Sequence, residues 1–346
     1  MLYSPFGNTG LSVSRLSMGG HEYRWSFTGH LKDARFTTVN PARESLIAHA
    51  IEQGVNYFDT TFFEEVQSLG QVLSRLKMRR KVTVNGMIID VVGRAGRMHA
   101  SEVERFVIDE LDTRLSLLKD DHFDFFSLNA IDQGYQPGLV TDILYYYEKQ
   151  RERGKFRFTG ITCHDWALAH EFLGTTDAPV RMLMIPCNFA SVNNPDEKNK
   201  TLPGLIKLAR DRGIAITAMK SLCWFAYGVP FTCFSDLHED VQASIQNCIA
   251  WQTALKDVDT TVVGCESVEE FDTCLTGVGR SCDKSSLRTI LDNKDRLDLV
   301  IDNASRHSPE IGERIYAYVK QRTGQDFGRG NLEAFKRYWR ETKAKE

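Results

Sequence analysis

Short, mostly apolar runs alternate with longer amphipathic segments along most of this chain, and this alternation constrains the fold more than any other feature. The apolar runs are candidate strands: Arg15–Met18, Asn56–Asp59, Val82–Val84, Phe123–Leu128, Phe158–Thr162, Met182–Pro186, Ala215–Met219 and Thr260–Val263. Because they lack a polar face, they are typical of parallel strands covered on both sides. Helical periodicity marks segments between them, such as Glu44–Gln53, Glu102–Leu118, Val140–Arg153, Leu202–Arg212 and Val268–Leu275.

Eight strand-and-helix units within about 280 residues predict an α/β protein folded as a (β/α)8 TIM barrel. A doubly wound open sheet is the alternative, but no G-x-G-x-x-G motif follows the first predicted strand. We therefore expect a barrel domain over residues 1–280. The remaining residues, 281–346, are charged and helical by period, and we expect them to form a C-terminal helical extension that packs on the barrel.

The composition is that of an ordinary globular protein, with 43 basic and 46 acidic residues. So balanced a charge argues against a nucleic-acid binder, which usually carries a basic excess on one face. No two of the eight cysteines form a C-x-x-C pair, and no apolar run approaches the ~20 residues of a membrane span. The N-terminal sequence also lacks the pattern of a secretory signal. We expect a soluble, cytoplasmic protein that acts on a small-molecule substrate and binds neither nucleic acid nor membrane.

Polar residues follow the predicted strands, at the end of a barrel where catalytic groups lie. The candidates are His21, Tyr23 and Trp25 after the first strand, Asp59 and Glu64 after the second, Asn129 after the fourth, Thr162, Cys163 and His164 after the fifth, Asn188 after the sixth, Lys220, Ser221 and Trp224 after the seventh, and Gly264, Cys265 and Ser267 after the eighth. Carboxylates, imidazoles and a lysine gathered at one mouth are sufficient for proton transfer. The aromatic segment Gly19–Asn40 should cover this mouth, so we assign its residues 21, 23 and 25 to the substrate pocket.

Five sequence blocks stand out: Phe6–Leu16, Gly54–Thr60, Arg114–Asp124, Arg153–Thr162 and Thr261–Glu270. Taken in order over about 270 residues, they resemble the aldo-keto reductase family. The resemblance implies a barrel that binds NADPH extended across its mouth and transfers hydride to a carbonyl group.

The same resemblance implies that most of the family's catalytic tetrad is replaced. The family protonates its carbonyl with an aspartate, a tyrosine, a lysine and a histidine. The aspartate corresponds to Asp59, but the other three positions fall on Glu64 in a shortened loop (or Phe63, if the gap lies elsewhere), on Gly86 and on Asn129. A tyrosine donates a proton near neutral pH only when a nearby cation lowers its pKa, so the ordinary mechanism is not expected.

We predict instead an altered proton relay that draws on Asp59, Glu64, Asn129, His164 and Lys220. His164 can act as an acid or base, with Asp165 orienting it. Lys220 is the only lysine at the end of a predicted strand, so it is the candidate to replace the missing cation.

The cofactor residues are inferred from the resemblance as well. It places Thr162, Cys163 and Asn188 at the nicotinamide amide, and Trp224 or Phe225, close to Ser221, against the nicotinamide ring. The helix start around Gly264, Cys265 and Ser267 can receive a phosphate. Three carboxylates occur where the family prefers a cation for the 2′-phosphate, at Glu266, Glu269 and Glu270. We therefore expect NAD(H) or NADP(H), with NAD(H) favoured.

Three functions remain compatible with this pattern. The first is a nicotinamide-linked oxidoreductase of the aldo-keto reductase type that acts on a carbonyl or sugar-like molecule. The second is a non-redox lyase, dehydratase or epimerase on the same barrel, and the third is a catalytically inactive binding or regulatory protein. No metal is expected, because His21, Glu64 and His164 lack the close sequence spacing that supports a metal site.

Overall fold

A computed structural model describes residues 1–19, 41–132, 134–189, 192, 201–222, 239–265, 267–283 and 285 of the 346-residue chain. Two short strands, β1 (Tyr3–Pro5) and β2 (Ser12–Ser14), form an antiparallel hairpin. Eight parallel strands then close into a barrel: β3 (Leu16–Met18), β4 (Tyr57–Thr60), β5 (Thr83–Met87), β6 (Phe123–Leu128), β7 (Phe156–Thr162), β8 (Val180–Pro186), β9 (Ala215–Met219) and β10 (Thr260–Val263). The pairing of β10 with β3 completes the barrel.

Helices surround the barrel and connect its strands. Within the described residues they are α1 (Pro41–Glu52), α2 (Phe63–Leu76), α3 (Val91–Ala95), α4 (Ala100–Leu118), α5 (Pro137–Glu152), α6 (Trp166–Thr175), α7 (Leu202–Asp211), α8 (Glu239–Thr253) and α9 (Val268–Gly277). A short 3-10 helix covers Arg79–Lys81. The main hydrophobic cluster lies between these helices and the outward-facing residues of the strands.

The predicted (β/α)8 barrel is confirmed. Each of the eight predicted strands corresponds to a barrel strand, and β6, β9 and β10 have the predicted bounds. The five helices whose bounds were predicted are present as α1, α4, α5, α7 and α9. Helices α2, α6 and α8 follow strands after which a helix was expected without bounds, whereas the N-terminal hairpin and α3 were not predicted.

The barrel interior is filled near its N-terminal end by a second, smaller cluster. It consists of Phe6, Val13, Tyr57, Phe125, Met182, Met184, Ala215 and Val262. Phe6 comes from the hairpin and contacts two rings of the strands edge-on, with centroids 5.3 Å from Tyr57 and 5.2 Å from Phe125. Because this end is packed with apolar side chains, polar chemistry is left to the opposite, C-terminal end.

Several of the other predictions concern residues beyond the described part of the chain. Of the predicted extension, only residues 281–283 and 285 are described. Among the described helices, none combines the length and apolarity that a bilayer crossing requires. Six cysteines are described, all as free thiols, and five of them are buried.

Candidate active site

A chain of buried hydrogen bonds crosses three neighbouring strands at the C-terminal end of the barrel. Asn85 on β5 donates from Nδ2 to Oδ1 of Asp59 on β4 over 2.7 Å. Ser127 on β6 in turn donates to Oδ1 of Asn85, also over 2.7 Å. Asp59 and Asn85 are partners in the β4–β5 register, so their side chains meet on the inner face of the barrel. The carboxyl of Asp59 is thereby fixed at the mouth.

Burial raises the pKa of Asp59 to about 7, against the opposing effects of the Asn85 hydrogen bond and the positive charge of Lys220. Lys220 directly follows β9 and has a left-handed backbone with φ of 57°. Its carbonyl accepts a hydrogen bond from Nδ2 of Asn188 over 2.9 Å. The structure thus brings together Asp59, Lys220 and Asn188, three residues singled out from sequence.

A side chain at position 86, where the resemblance puts the family lysine, would point away from the mouth. A Cβ on Gly86 would lie 2.7 Å from the Phe123 ring, which belongs to the hydrophobic cluster outside the strands. Because side chains alternate along a strand, β5 presents Asn85 to Asp59 instead. Asn85 was not among the site residues predicted from the sequence.

Glu64 lies in the first turn of α2 and is buried, so the prediction that it sits in a loop is wrong. The next residue, Glu65, is fully buried, and its Oε2 accepts the backbone N–H of Thr61 over 2.6 Å. Burial raises the pKa of Glu65 to about 8; the Thr61 hydrogen bond opposes this shift and the charge of Asp59 adds to it. Sequence reasoning missed Glu65, although helical spacing places it on the same face as the buried Leu69.

Asn129, where the resemblance puts the family histidine, lies just beyond β6. Its Oδ1 accepts the backbone N–H of Asp90 over 3.2 Å, and its Nδ2 donates to the sulfur of Met87 over 3.0 Å. These contacts tie the end of β6 to the end of β5. Asn129 is therefore at the mouth as predicted, held by neighbours on the adjacent strand.

His164, beyond the end of β7, forms a pair with Asp132 beyond β6. Oδ1 of Asp132 accepts the backbone N–H of His164 over 2.8 Å and lies 3.4 Å from its ring Nδ1. Burial raises the pKa of Asp132, but the hydrogen bonds from His164 outweigh burial and the net pKa is below its ordinary value. Asp165, predicted to orient the imidazole, instead caps α6 by accepting the N–H groups of Ala167 and Leu168. Asp132 takes that role.

Of the residues predicted to hold the nicotinamide, Thr162 and Ser221 are buried at the mouth. Oγ1 of Thr162 accepts the N–H of Ala130 over 2.6 Å, and Ser221 donates to the carbonyl of Val262 over 2.9 Å. Cys163, by contrast, places its thiol in the outer hydrophobic cluster, where burial raises its pKa, and donates to the carbonyl of Asp165 over 3.0 Å. The Cys163 side chain therefore does not face the mouth, and its backbone N–H donates to the carbonyl of Met184 over 3.1 Å.

The start of α9 does not suit a 2′-phosphate. Ser267 caps the helix by accepting the N–H of Glu270 over 3.2 Å. Glu269 accepts hydrogen bonds from its own N–H and from the Ser267 hydroxyl, which lower its pKa. The N–H groups of Glu269 and Glu270 are therefore already bonded, to the Glu269 carboxylate and to the Ser267 hydroxyl. Glu270 itself is buried, as is Cys265 before the helix, whereas Gly264 at the end of β10 is half-buried.

Four predicted site residues, His21, Tyr23, Trp25 and Trp224, lie outside the described residues, as do Phe225 and Glu266. Their predicted roles at the substrate pocket and the nicotinamide ring stay predictions.

Comparison with known proteins places this site in a family. The family model described as "Aldo/keto reductase family" matches residues 25–223. L-galactose dehydrogenase from Arabidopsis thaliana is 24% identical over 293 residues, which cover 77% of this chain and 84% of the relative. Among solved structures, the thermostable aldo-keto reductase Tm1743 in complex with the inhibitor epalrestat is similar, with a TM-score of 0.59 and 17% identity over 84% of this chain and 99% of that one. An aldo-keto reductase-type protein from Pseudomonas aeruginosa gives a TM-score of 0.56 and 15% identity over 80% of this chain and 93% of its own.

The two structural similarities concern the fold, whereas the family model covers more than half of the sequence. This chain therefore belongs to the aldo/keto reductase family.

Proposed function

We propose that this protein is an oxidoreductase that moves a hydride between NAD(H) and the carbonyl or hydroxyl carbon of a sugar-like molecule. Asp59 and Lys220 form its proton relay in place of the family's tyrosine and lysine. The observation that carries this proposal is the buried carboxyl of Asp59, whose pKa is raised to about 7 beside the charge of Lys220. A group with a pKa near the working pH is the most effective general acid or base.

In the direction of reduction, protonated Asp59 gives its proton to the carbonyl oxygen as negative charge develops there. In the direction of oxidation, the ionised carboxylate takes the proton from the substrate hydroxyl. Asn85 holds Oδ1 of Asp59 and so orients the carboxyl, while the ammonium group of Lys220 stabilises negative charge on the oxygen. The nicotinamide ring, when bound, supplies or accepts the hydride.

The proposed preference for NAD(H) over NADP(H) rests on residues at two places around the mouth of the barrel. Thr162, Asn188 and Ser221 are buried polar residues at the ends of β7, β8 and β9, and they suit the uncharged carboxamide of nicotinamide. At the second place, the carboxylate of Glu269 at the start of α9 repels the extra phosphate of NADP(H). NAD(H) is therefore the proposed cofactor.

The substrate class is supported by the polarity of the mouth. Asn85, Ser127, Asn129 and Thr162 line the inner ends of adjacent strands, and such amide and hydroxyl groups are suited to a polyhydroxylated molecule. The sequence relative named L-galactose dehydrogenase points to the same class.

A second candidate function rests on the pairing of His164 with Asp132. An imidazole oriented by a carboxylate is an acid–base pair that can remove a proton next to a carbonyl, as a lyase, dehydratase or epimerase requires. This chemistry would need His164 and no net change in a nicotinamide.

The decisive experiment combines nucleotide titration with assays of aldoses, ketoses and lactones. We expect NADH to bind more tightly than NADPH, and Asp59→Asn to lower kcat by about 10²–10⁴-fold without changing NADH affinity. The kcat for oxidation should rise with pH through about 7 because Asp59 must be ionised, and the kcat for reduction should fall over the same range.

The matched control is Asp142→Asn, which removes an exposed carboxylate from α5 and should leave every parameter unchanged. Absence of NADH and NADPH binding at millimolar concentration, or full turnover by Asp59→Asn, would overturn the proposal. Turnover without net nucleotide oxidation that is lost in His164→Gln would establish the second candidate.

A further inference from the structure

Arg114 is a buried cation on α4, next to the strand ends that carry the candidate site. It is among the largest fully buried side chains, with 1% of its surface exposed, and it lies on the inner face of α4 with the buried Leu111 and Leu115. Its Nη1 donates to the backbone carbonyl of Glu110 over 3.1 Å and also contacts the Glu110 carboxylate. Its guanidinium carbon lies 4.3 Å from the ring centroid of Phe63, the first residue of α2.

The same guanidinium bridges the ends of two barrel strands. Nε donates to the carbonyl of Met87, the last residue of β5, over 2.8 Å. Nη2 donates to the carbonyl of Thr61, just after β4, over 3.1 Å. The N–H of Thr61 is held from the other side by Glu65, so this residue is fixed through both its backbone groups.

Packing alone does not account for this arrangement. Removing a guanidinium from water is unfavourable, and replacing a buried ion pair by apolar residues of similar volume is often neutral or stabilising. Arg114 instead makes directed bonds to the backbone carbonyls of Thr61 and Met87 as well as that of Glu110, a geometry that the planar guanidinium can satisfy and a lysine ammonium cannot.

We infer that Arg114 is a positioning residue that sets the distance between Asp59 and Asn85 by bridging the carbonyls of Thr61 and Met87. Thr61 lies two residues after Asp59, just beyond the end of β4. Met87 lies two residues after Asn85, at the end of β5. Shifting one carbonyl relative to the other therefore displaces the carboxyl of Asp59 from the amide of Asn85.

Loosening the bridge made by Arg114 should shift the pKa of Asp59 in a defined direction. The hydrogen bond from Asn85 lowers the pKa of Asp59, so a longer bond must raise it. The other titratable groups that act with Asp59 are Lys220 beyond β9, Glu65 on α2 and Tyr57 on β4, and of these Glu65 also holds the N–H of Thr61.

The test measures the titration of Asp59 by carboxyl ¹³C NMR, with its resonance assigned from the Asp59→Asn spectrum. Arg114→Lys keeps the charge but can reach only one of the two carbonyls. We expect the Asp59 midpoint to rise by about half a pH unit or more, because this substitution weakens a hydrogen bond to the charged form. If Asp59 has the proposed relay role, kcat should fall at least about tenfold with KM within about twofold, because the change affects proton transfer rather than binding.

Arg105→Lys, at an exposed position of the same helix, is the matched control and should change neither quantity. If Arg114→Lys does not fold, Glu110→Gln keeps the guanidinium but loosens it from α4, and a smaller upward shift is expected. An unchanged Asp59 midpoint in the folded variant would overturn the inference, even with kcat reduced. A shifted midpoint with full activity of Asp59→Asn would instead retain the positioning role and remove the proposed function.

Discussion

At the residue scale, Lys220 combines a strained backbone with a charge at the mouth. The left-handed conformation costs a residue with a Cβ about 1–2 kcal/mol, and glycine is its usual occupant. Strain of this kind is retained where the surrounding structure enforces it, and here the amide of Asn188 holds the Lys220 carbonyl. Lys220, whose charge lowers the pKa of Asp59, is therefore held at the mouth at the expense of stability.

We predict that Lys220→Gly raises the free energy of unfolding by about 0.5–1 kcal/mol while abolishing turnover, because it relieves backbone strain and removes the cation. Urea denaturation and steady-state kinetics measure the two effects. The matched control is Lys77→Gly at the end of α2, where φ is 55°, and it should give a similar gain in stability with full activity. Retained turnover in Lys220→Gly would contradict the proposed relay.

Glu65 gives a second prediction, for stability against pH. Its pKa rises from the ordinary 4.5 to about 8 in the folded protein, so the folded state binds the proton more tightly than the unfolded state. Its contribution is fully present below 4.5 and is lost as the pH rises through 8, at up to about 1.4 kcal/mol per pH unit. Glu65→Gln should therefore match the wild type near pH 5 and exceed its stability at pH 8.5.

Denaturation curves at the two pH values test this directly, with Glu52→Gln on the surface of α1 as the control. Asp59 also has a raised pKa, so some pH dependence should persist in Glu65→Gln. Curves that run parallel for wild type and variant would show that Glu65 is not buried in its protonated form.

Residues of the site were predictable when they follow a strand, and unpredictable when a contact in space selects them. Asp59 and Lys220 were chosen because each stands at a strand end, although their proximity across the barrel could not be read from the chain. Asn85 was not chosen, because the sequence does not say which of two adjacent residues faces inwards. Asp165 was predicted to orient His164, and only the structure shows that Asp132 makes this contact while Asp165 caps α6.

At the scale of elements, buried strands were the most predictable part of the chain. The run Phe123–Leu128 is apolar apart from Asp124 and Ser127 and does not alternate, so its sequence indicates burial on both sides. Helix α6, with the sequence WALAHEFLGT, is apolar over most of its surface and so has no strong amphipathic period. Helix α2 contains Gly70, and the packing of this glycine is determined by contact with the neighbouring helix α4 rather than by the local sequence.

Helices α2 and α4 approach closely at Gly70. A Cβ at this position would lie 2.4 Å from the carbonyl oxygen of Leu117 and 2.7 Å from the backbone of Leu118. We predict that Gly70→Ala lowers the free energy of unfolding by about 1–3 kcal/mol, because the obstructing atoms are backbone and cannot rotate aside. Thermal or urea denaturation measures the loss.

Gly174→Ala in α6 is the matched control, since nothing lies within 4 Å of a Cβ there. That substitution should stabilise the protein by up to about 1 kcal/mol through helix propensity. Equal effects of the two substitutions would mean that α2 and α4 can separate without penalty.

At the scale of the whole molecule, the barrel divides stability and chemistry between its two ends. The hairpin of β1 and β2 closes the N-terminal end, and Gly7 allows its turn to approach β9 so closely that a Cβ would lie 2.5 Å from the backbone nitrogen of Ala215. The carboxyls, amides and lysine of the candidate site gather at the other end. In barrels of this kind the C-terminal ends of the strands carry catalysis.

This division predicts that Phe6→Ala lowers stability without affecting turnover. Phe6 is fully buried against Tyr57 and Phe125. Its truncation to alanine leaves a cavity at the N-terminal end of the barrel, which should lower the free energy of unfolding by about 3–5 kcal/mol. Tyr57 lies two residues before Asp59 on β4, so the test is stringent: if the barrel transmitted the disturbance along this strand, kcat would change as well. We expect kcat and KM within about twofold of wild type at temperatures where the variant is folded. Tyr3→Ala, on the exposed side of the same hairpin, should change neither quantity appreciably, and a large loss of kcat in Phe6→Ala would show that the two ends are coupled.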